Sequence, residues 1–198
     1  MSFNTSPLIL SLSNSLRDLI ESNLEINQND IHFESPGELN PLPDQGLSLF
    51  LYKISENPFL KNNDDIQEKY SNPEVLKKPP LPLDLYYLVT PFGSGTTKLI
   101  TIEKILQLFH ERSILREDVL SRDLVEHGNK EIRIVLNDLT IEQVNNLLGM
   151  FPNLPYSLSI SYIVTPLLLE TLSSKEISRV ISKDTFYYKV KNNLRDKE

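Results

Sequence analysis

Three stretches of the chain repeat apolar residues at three- or four-residue steps, the period of a helix with one buried face. The first follows Ser6-Pro7, which offers a cap and a proline at the first helical position, and it should run to about Asn23. The second is predicted over residues 101–112. The third should begin at Thr140, because Thr140-Ile141-Glu142-Gln143 matches a capping box. The three apolar stripes are Leu8, Leu12, Leu16, Leu19 and Ile20; Ile102, Ile105, Leu106 and Phe109; and Val144, Leu147 and Leu148.

Five further stretches show the two-residue alternation or the short apolar runs that are typical of strands. In the second of these stretches, residues 47–54, Lys53 falls on one side with three leucines, and Ile54 falls on the other side with Phe50 and Tyr52. Together with the helices, these strands predict an α+β fold with a mixed or antiparallel sheet flanked by helices. The predicted strands are residues 31–34, 47–54, 83–90, 131–136 and 156–164.

The connections between these elements differ in character. Residues 56–82 are rich in Asn, Asp, Lys and Pro, and a structureless connection of this length in a compact domain is usually functional or mobile. Residues 114–128 form a charged, weakly periodic connection, and residues 173–190 carry a short helical pattern. We therefore predict one domain over residues 1–172 and a helical or extended C-terminal tail over residues 173–198.

Composition and charge narrow the possible functions. Apolar residues make up 39% of the chain and charged residues 24%, enough apolar content for a packed interior. A formal charge of -7 argues against nucleic acid as a partner, because phosphate binding relies on clustered Lys and Arg. The start lacks the basic region of a secretory signal, and no stretch supplies about 20 apolar residues, so we expect a cytoplasmic chain without direct membrane insertion.

The sequence contains few residues suited to catalysis or metal binding. The chain has no cysteine, and its three histidines, His32, His110 and His127, lie far apart. The glycine-rich turn at residues 93–98 lacks the ending of a phosphate loop, and the paired acids Glu117 and Asp118 sit in a charged connection. We predict no catalytic residue, metal site or cofactor. An enzyme remains the contrasting hypothesis, and it would require a pocket with converging titratable groups.

An ordered set of sequence blocks resembles the cap, or tail-terminator, proteins of contractile injection systems such as the antifeeding prophage and the virulence-cassette particles. The set comprises the opening helix, the strand that ends Leu51-Tyr52-Lys53-Ile54-Ser55-Glu56-Asn57, and the run Pro79-Pro80-Leu81-Pro82-Leu83-Asp84-Leu85-Tyr86-Tyr87-Leu88. It continues through the second helix and the strand at residues 132–136 to Pro155-Tyr156-Ser157-Leu158-Ser159-Ile160-Ser161-Tyr162-Ile163-Val164. No single block is decisive, but the order and spacing of the whole set are specific.

This resemblance implies a phage tail-terminator-like fold and a structural role without catalysis. Six copies would form a ring that closes the tube and sheath at the end opposite the baseplate, with the sheath and inner-tube proteins as partners. The assembled particle would be either released or membrane-anchored. The alternative is a tail-completion or adaptor protein that links the particle to a membrane or another component.

Four apolar side chains are predicted contact residues of such a ring. Phe59, Leu60 and Tyr70 stand out as anchors within the polar segment 56–82, and Phe92 lies in the turn after the 83–90 strand. Unpaired strand edges are a second expected means of contact, because they can accept arms of the sheath protein by β-addition. The sequence leaves open which edge is free.

Overall fold

The computed structural model describes residues 7–39, 41–60, 66–68, 74–77, 79–149, 151, 157–170 and 174–177. The strands of this part of the chain form two sheets. A short 3-10 turn at Gln28–Asp30 precedes the first strand. In chain order the elements are α1 (Leu8–Leu24), β1 (Ile31–His32), β2 (Leu47–Glu56), β3 (Ile66–Glu68), β4 (Glu74–Lys77), β5 (Leu81–Pro91), α2 (Gly95–Glu111), β6 (Ile114–Leu115), α3 (Arg122–Glu126), β7 (Ile132–Asn137), α4 (Ile141–Leu148), β8 (Ile160–Leu169) and β9 (Ser174–Ile177).

The main sheet has six strands in the order β1-β2-β5-β8-β7-β6. The β1–β2 pair is parallel and the other pairs are antiparallel, so the sheet is mixed. The second sheet has the order β3-β4-β9. Along the chain, β3 follows β2, β4 precedes β5 and β9 follows β8, so the order of the second sheet matches that of these three central strands. The predicted α+β fold with a mixed sheet flanked by helices is confirmed.

Helices α1, α2 and α3 cover one face of the main sheet and form the core with it. The stripe predicted for α1 is buried, and Leu12, Leu16 and Ile20 are at most 1% exposed. On α2, the Phe109 ring meets the β8 ring of Tyr162 edge to face, with centroids 4.9 Å apart. Each large apolar side chain removed from water in this way contributes about 1.5–3 kcal/mol. Because these helices cover one face of the main sheet, the opposite face is the one available to other molecules.

The opposite face of the sheet is aromatic, and a β-bulge determines which side chains it carries. The β2–β5 pairing shifts at Tyr52, so one extra residue of β2 stands opposite its partner strand. The extra residue moves Lys53 onto the face of Phe50 and Tyr52, where its ammonium lies 4.4 Å from the centroid of the Tyr86 ring. The prediction that Lys53 shares a side with the leucines is therefore wrong, and so is the placement of Ile54.

The ends of several elements differ from the predictions for local reasons. Helix α1 begins at Leu8, with Pro7 at the cap position, and Ser6 lies outside the described residues. Helix α2 begins at Gly95, ahead of the predicted start, because the Ser94 hydroxyl accepts a hydrogen bond from the Thr97 amide at 3.2 Å. The capping box at Thr140 is confirmed. The helix it starts, α4, has no fully buried residue, so its apolar stripe is only half-buried rather than part of the core.

Two connections contain structure that the sequence did not reveal. The segment predicted to be structureless, residues 56–82, contains β3 and β4, which pair as an antiparallel hairpin. The charged connection at residues 114–128 contains β6 and α3, whose Leu115 and Leu124 are fully buried. In the C-terminal region, β9 is a strand paired with β4 rather than part of a helix. The division of the chain at residue 172 stays a prediction.

A buried tyrosine makes the stability of the fold sensitive to alkaline pH. The Tyr87 hydroxyl lies 2.8 Å from the Ser13 hydroxyl of α1, and burial raises the pKa of Tyr87 to about 12. An unfolded tyrosine ionises near pH 10, so this residue stabilises the fold fully below pH 10, and the stabilisation is lost as pH rises toward about 12. The loss for this residue should reach about 3 kcal/mol.

Urea unfolding between pH 9 and 12 measures this effect, with Tyr87→Phe as the variant. We expect the wild-type free energy of unfolding to fall more steeply than that of the variant, which has no hydroxyl to ionise at this position. Burial also raises the pKa of Tyr162 to about 12, so the variant should keep part of the pH dependence. Equal slopes for the two proteins would contradict this account.

Candidate functional site

A cluster of polar side chains joins the three central strands of the main sheet at one end. Asn57 follows β2, and its side-chain amide donates to the Asp84 carboxylate of β5 at 2.8 Å and to the Thr165 hydroxyl of β8 at 3.2 Å. The Thr165 hydroxyl also donates to Asp84. The three groups are partly buried and satisfy one another, as polar groups away from water must. We call these three residues the polar clamp.

The polar clamp also shapes the turn that leaves β2. The Asn57 side-chain oxygen accepts hydrogen bonds from the amides of Phe59 and Leu60, at 3.0 and 3.2 Å. The Asn57 amide itself donates to the Pro82 carbonyl at 2.9 Å, which ties the turn to the start of β5. An Asn side chain that bonds backbone amides two and three residues ahead is a common way to fix a tight turn. One side chain thus anchors both the sheet and the turn.

The fixed turn presents an apolar ring to solvent. Phe59 is 93% exposed, whereas Leu60 beside it is partly buried. At this exposure the Phe59 side chain adds little to packing within the described part of the chain, although hydrogen bonds around Asn57 hold its turn in place. An exposed aromatic side chain on a fixed turn is typical of an anchor that fits into a pocket on a partner.

The predicted contact residues therefore fall into three groups. Phe59 and Leu60 lie together on the turn after the polar clamp. Tyr70 lies outside the described residues. Phe92 is only 4% exposed, and its ring meets the His32 ring edge to face at 6.3 Å, so Phe92 packs inside the subunit. We leave Phe92 out of the contact surface for this reason.

A cleft of about 700 Å³ lies between the aromatic face of the sheet and the region of α4. Its aromatic wall is tied to β7 and β8 by hydrogen bonds, since the Tyr52 hydroxyl lies 2.9 Å from the Ser161 hydroxyl and accepts from the Asn137 amide at 3.1 Å. Two of the described lining residues are charged, Lys53 and Asp138. The other lining side chains are aromatic, aliphatic or amide groups, namely Phe50, Tyr52, Tyr86, Asn137, Leu139, Gln143, Asn146, Leu147, Phe151 and Ile163.

Such a lining favours packing against another apolar surface over acid-base catalysis, which needs titratable groups that converge on one point. Within the ranges that the structure describes, no three His, Cys, Asp or Glu side chains gather as a metal site would require. In the same ranges, no helix combines the length and apolar character needed to cross a bilayer.

Sequence reasoning missed the polar clamp because its members lie far apart in the chain. Asn57 and Asp84 are 27 residues apart, and Asp84 and Thr165 are 81 residues apart. A weak signal was present, since Asp84 is the one charged residue within the apolar run of β5. A carboxylate inside a strand indicates a buried partner, but the alternation along the chain cannot identify that partner.

A known protein family and solved structures of other proteins match this chain. The sequence profile of the family described as Pvc16 N-terminal domain matches residues 11–183. No curated protein sequence matches the chain.

Among solved structures, the chain resembles the sheath/tube terminator, in the extended state, of PVC, an extracellular contractile injection system, with 16% identity and a TM-score of 0.67 over 96% of this chain and 66% of that one. It also resembles the tube-terminating cap of the anti-feeding prophage, with 18% identity and a TM-score of 0.62 over 93% of this chain and 62% of that one. The chain therefore spans a little under two thirds of the length of both proteins. The fold is shared, and the profile match over most of the sequence shows that the chain belongs to the Pvc16 N-terminal domain family.

Proposed function

We propose that this chain is a structural cap that closes the tube and sheath of a phage-tail-like contractile injection system. The observation that carries the proposal is the family match over residues 11–183, together with a fold that aligns with a sheath/tube terminator over 96% of the chain. The cap acts as a ring of six copies at the end opposite the baseplate. A ring with the symmetry of the tube can bind its last layer and offer no surface for a further layer.

The proposed role requires shape and surface contacts, without a catalytic step or a cofactor. Support comes from the cleft, whose described lining residues are mostly aromatic, aliphatic and amide groups. The partners are other copies of this chain and the sheath and inner-tube proteins. The chain would be cytoplasmic while the particle assembles and would remain part of the particle, whether released or anchored.

The contact surface that we propose consists of the turn after the polar clamp and the segment that follows it. Phe59 and Leu60 are its apolar anchors, and Tyr70 is a third anchor from the part of this segment that is not described. The anchors would reach a neighbouring subunit or the last sheath layer. Phe59 supports this placement because its ring is 93% exposed on a turn that hydrogen bonds hold in place.

Electron cryomicroscopy of particles made with and without this protein tests the proposed function. We expect particles that lack it to have open tube ends and sheaths of abnormal length, because nothing stops polymerisation. Supplying the wild-type chain separately should restore uniform, closed particles and serves as the control. Complete but detached particles would favour the adaptor alternative. Particles of normal length and closure in its absence would contradict a capping role.

A further inference from the structure

The main sheet has an open edge at one end, along the second half of β7. Strand β6 pairs only with Ile132 and Arg133, and the last outward backbone bond runs from the Ile134 amide to the Ser113 carbonyl at 2.8 Å. Hydrogen-bonding directions alternate along an antiparallel strand, so the Leu136 amide and carbonyl also point outward. Among the described residues, no strand pairs with them. Val135 and Leu136 are 47% and 53% exposed at this edge.

The other end of the same sheet has a second open edge, at Ile54 of β2. Strand β1 pairs only with Leu47 and Ser48. The Asn57 amide bonds to the Pro82 carbonyl of β5, so residue 57 points inward, and by alternation the Ile54 amide and carbonyl point away from β5. In the described part of the chain, no strand lies beyond Ile54, whose side chain is 46% exposed.

We infer that copies of this chain join head to tail by sheet continuation, with the β7 edge of one copy pairing with the β2 edge of the next. The two open edges are at opposite ends of one sheet, so each copy can use both edges at once. A contact between two different surfaces of the same chain is heterologous, and such a contact closes into a ring when its rotation fits. The inference rests on the ring in the proposed function and identifies the surfaces that build it.

A second copy fits these edges better than an unrelated partner does. Exposed apolar side chains flank both edges, Val135 and Leu136 at β7 and Ile54 at β2. Pairing the edges would bury these side chains against one another while it satisfies the outward amides and carbonyls. An exposed apolar strand edge on a subunit that stayed alone would favour aggregation, and ring closure removes this hazard.

Proline substitutions at outward-facing positions test the inference. Leu136→Pro removes an outward amide and keeps the ladder to β8, and Ile54→Pro does the same at β2 with respect to β5. Leu136→Ala and Ile54→Ala are the matched controls, since they truncate the same side chains and keep the amides. Circular dichroism checks the fold, and light scattering after size-exclusion chromatography measures the mass. Leu136→Lys and Ile54→Lys form a second pair with the same expectation if a proline unfolds the chain.

We expect the wild type and both alanine variants to form the ring, and each proline variant alone to be a folded monomer. When the two proline variants are mixed, the intact β2 edge of one can meet the intact β7 edge of the other. The mixture should therefore form dimers of twice the monomer mass and nothing larger.

Three results would overturn the inference. They are a monomeric wild type, a ring from either folded proline variant, or a mixture that stays monomeric. A strand of the sheath protein as the natural occupant of the β7 edge would produce the second result. Particle capping by a variant that still forms rings would leave the proposed function standing without this interface.

Discussion

Gly46→Ala should destabilise the fold by at least about 3 kcal/mol, the largest effect that we expect from a single methyl group. Gly46 has a φ of +99°, outside the range that residues with side chains readily adopt. A Cβ atom there would overlap the Asp30 carbonyl oxygen and lie 2.8 Å from the Asp30 Cβ. The Gly46 carbonyl also accepts the Phe92 amide at 2.8 Å, so a shift would disturb the start of β2 and the end of β5.

Gly128→Ala is the matched control for this prediction. Gly128 also has a positive φ, +84°, but a Cβ atom there would meet no other atom within 4 Å. Its cost should be limited to backbone strain of about 1–2 kcal/mol. Urea unfolding of the three proteins gives both differences. Equal losses for the two variants would show that backbone conformation alone, without the contact with Asp30, determines the effect.

Phe59→Ala should impair capping strongly and leave the fold intact. The ring is 93% exposed, so its loss should change the free energy of unfolding by no more than about 0.5 kcal/mol. A central aromatic anchor at an interface contributes about 2 kcal/mol or more, which corresponds to roughly a 30-fold loss of affinity per contact. Because every copy in the ring carries the same substitution, the loss of affinity applies to each contact that the ring makes through this residue. The fraction of closed particles, counted in electron micrographs, measures the effect.

Ile141→Ala is the control for a general effect of removing surface apolar groups, because Ile141 is 81% exposed at the start of α4. It should cap like the wild type. Asn57→Ala keeps the Phe59 ring but removes the side-chain hydrogen bonds that help fix its turn, so capping should fall to an intermediate level. Normal capping by Phe59→Ala would contradict the role of this ring in the contact surface.

Much of the fold could be predicted because local chemistry determined it. The capping box at Thr140 needs only residues three apart, and the α1 stripe needs only one helical period. Each of these signals lies within one element of the chain. Both predictions are confirmed in the structure, since the capping box forms and the α1 stripe is buried.

The wrong predictions depended on contacts between distant parts of the chain. The bulge at Tyr52 inserts one residue, and a shift of one residue in a strand exchanges its two faces, which explains the error at Lys53. In the same way, α4 shows a clear apolar stripe, but only the tertiary structure reveals that it adjoins an open cleft.

The candidate site was only partly predictable for the same reason. Phe59 and Leu60 stand out in the sequence as apolar residues within a polar segment. The polar clamp that positions them combines residues from β5 and β8 with Asn57, and strand pairing alone brings these groups together. Phe92 carries the same type of sequence signal as Phe59 but is buried against His32. Exposure, which distinguishes the two rings, is a property of the assembled fold.

The position of this protein in intact particles tests the capping account most directly. Electron cryomicroscopy of purified particles that carry a tagged copy of the chain should show a single ring of six copies. That ring should lie at the end of the tube opposite the baseplate, in contact with the last sheath layer. Tagged protein at the baseplate, along the sheath or absent from complete particles would contradict the account.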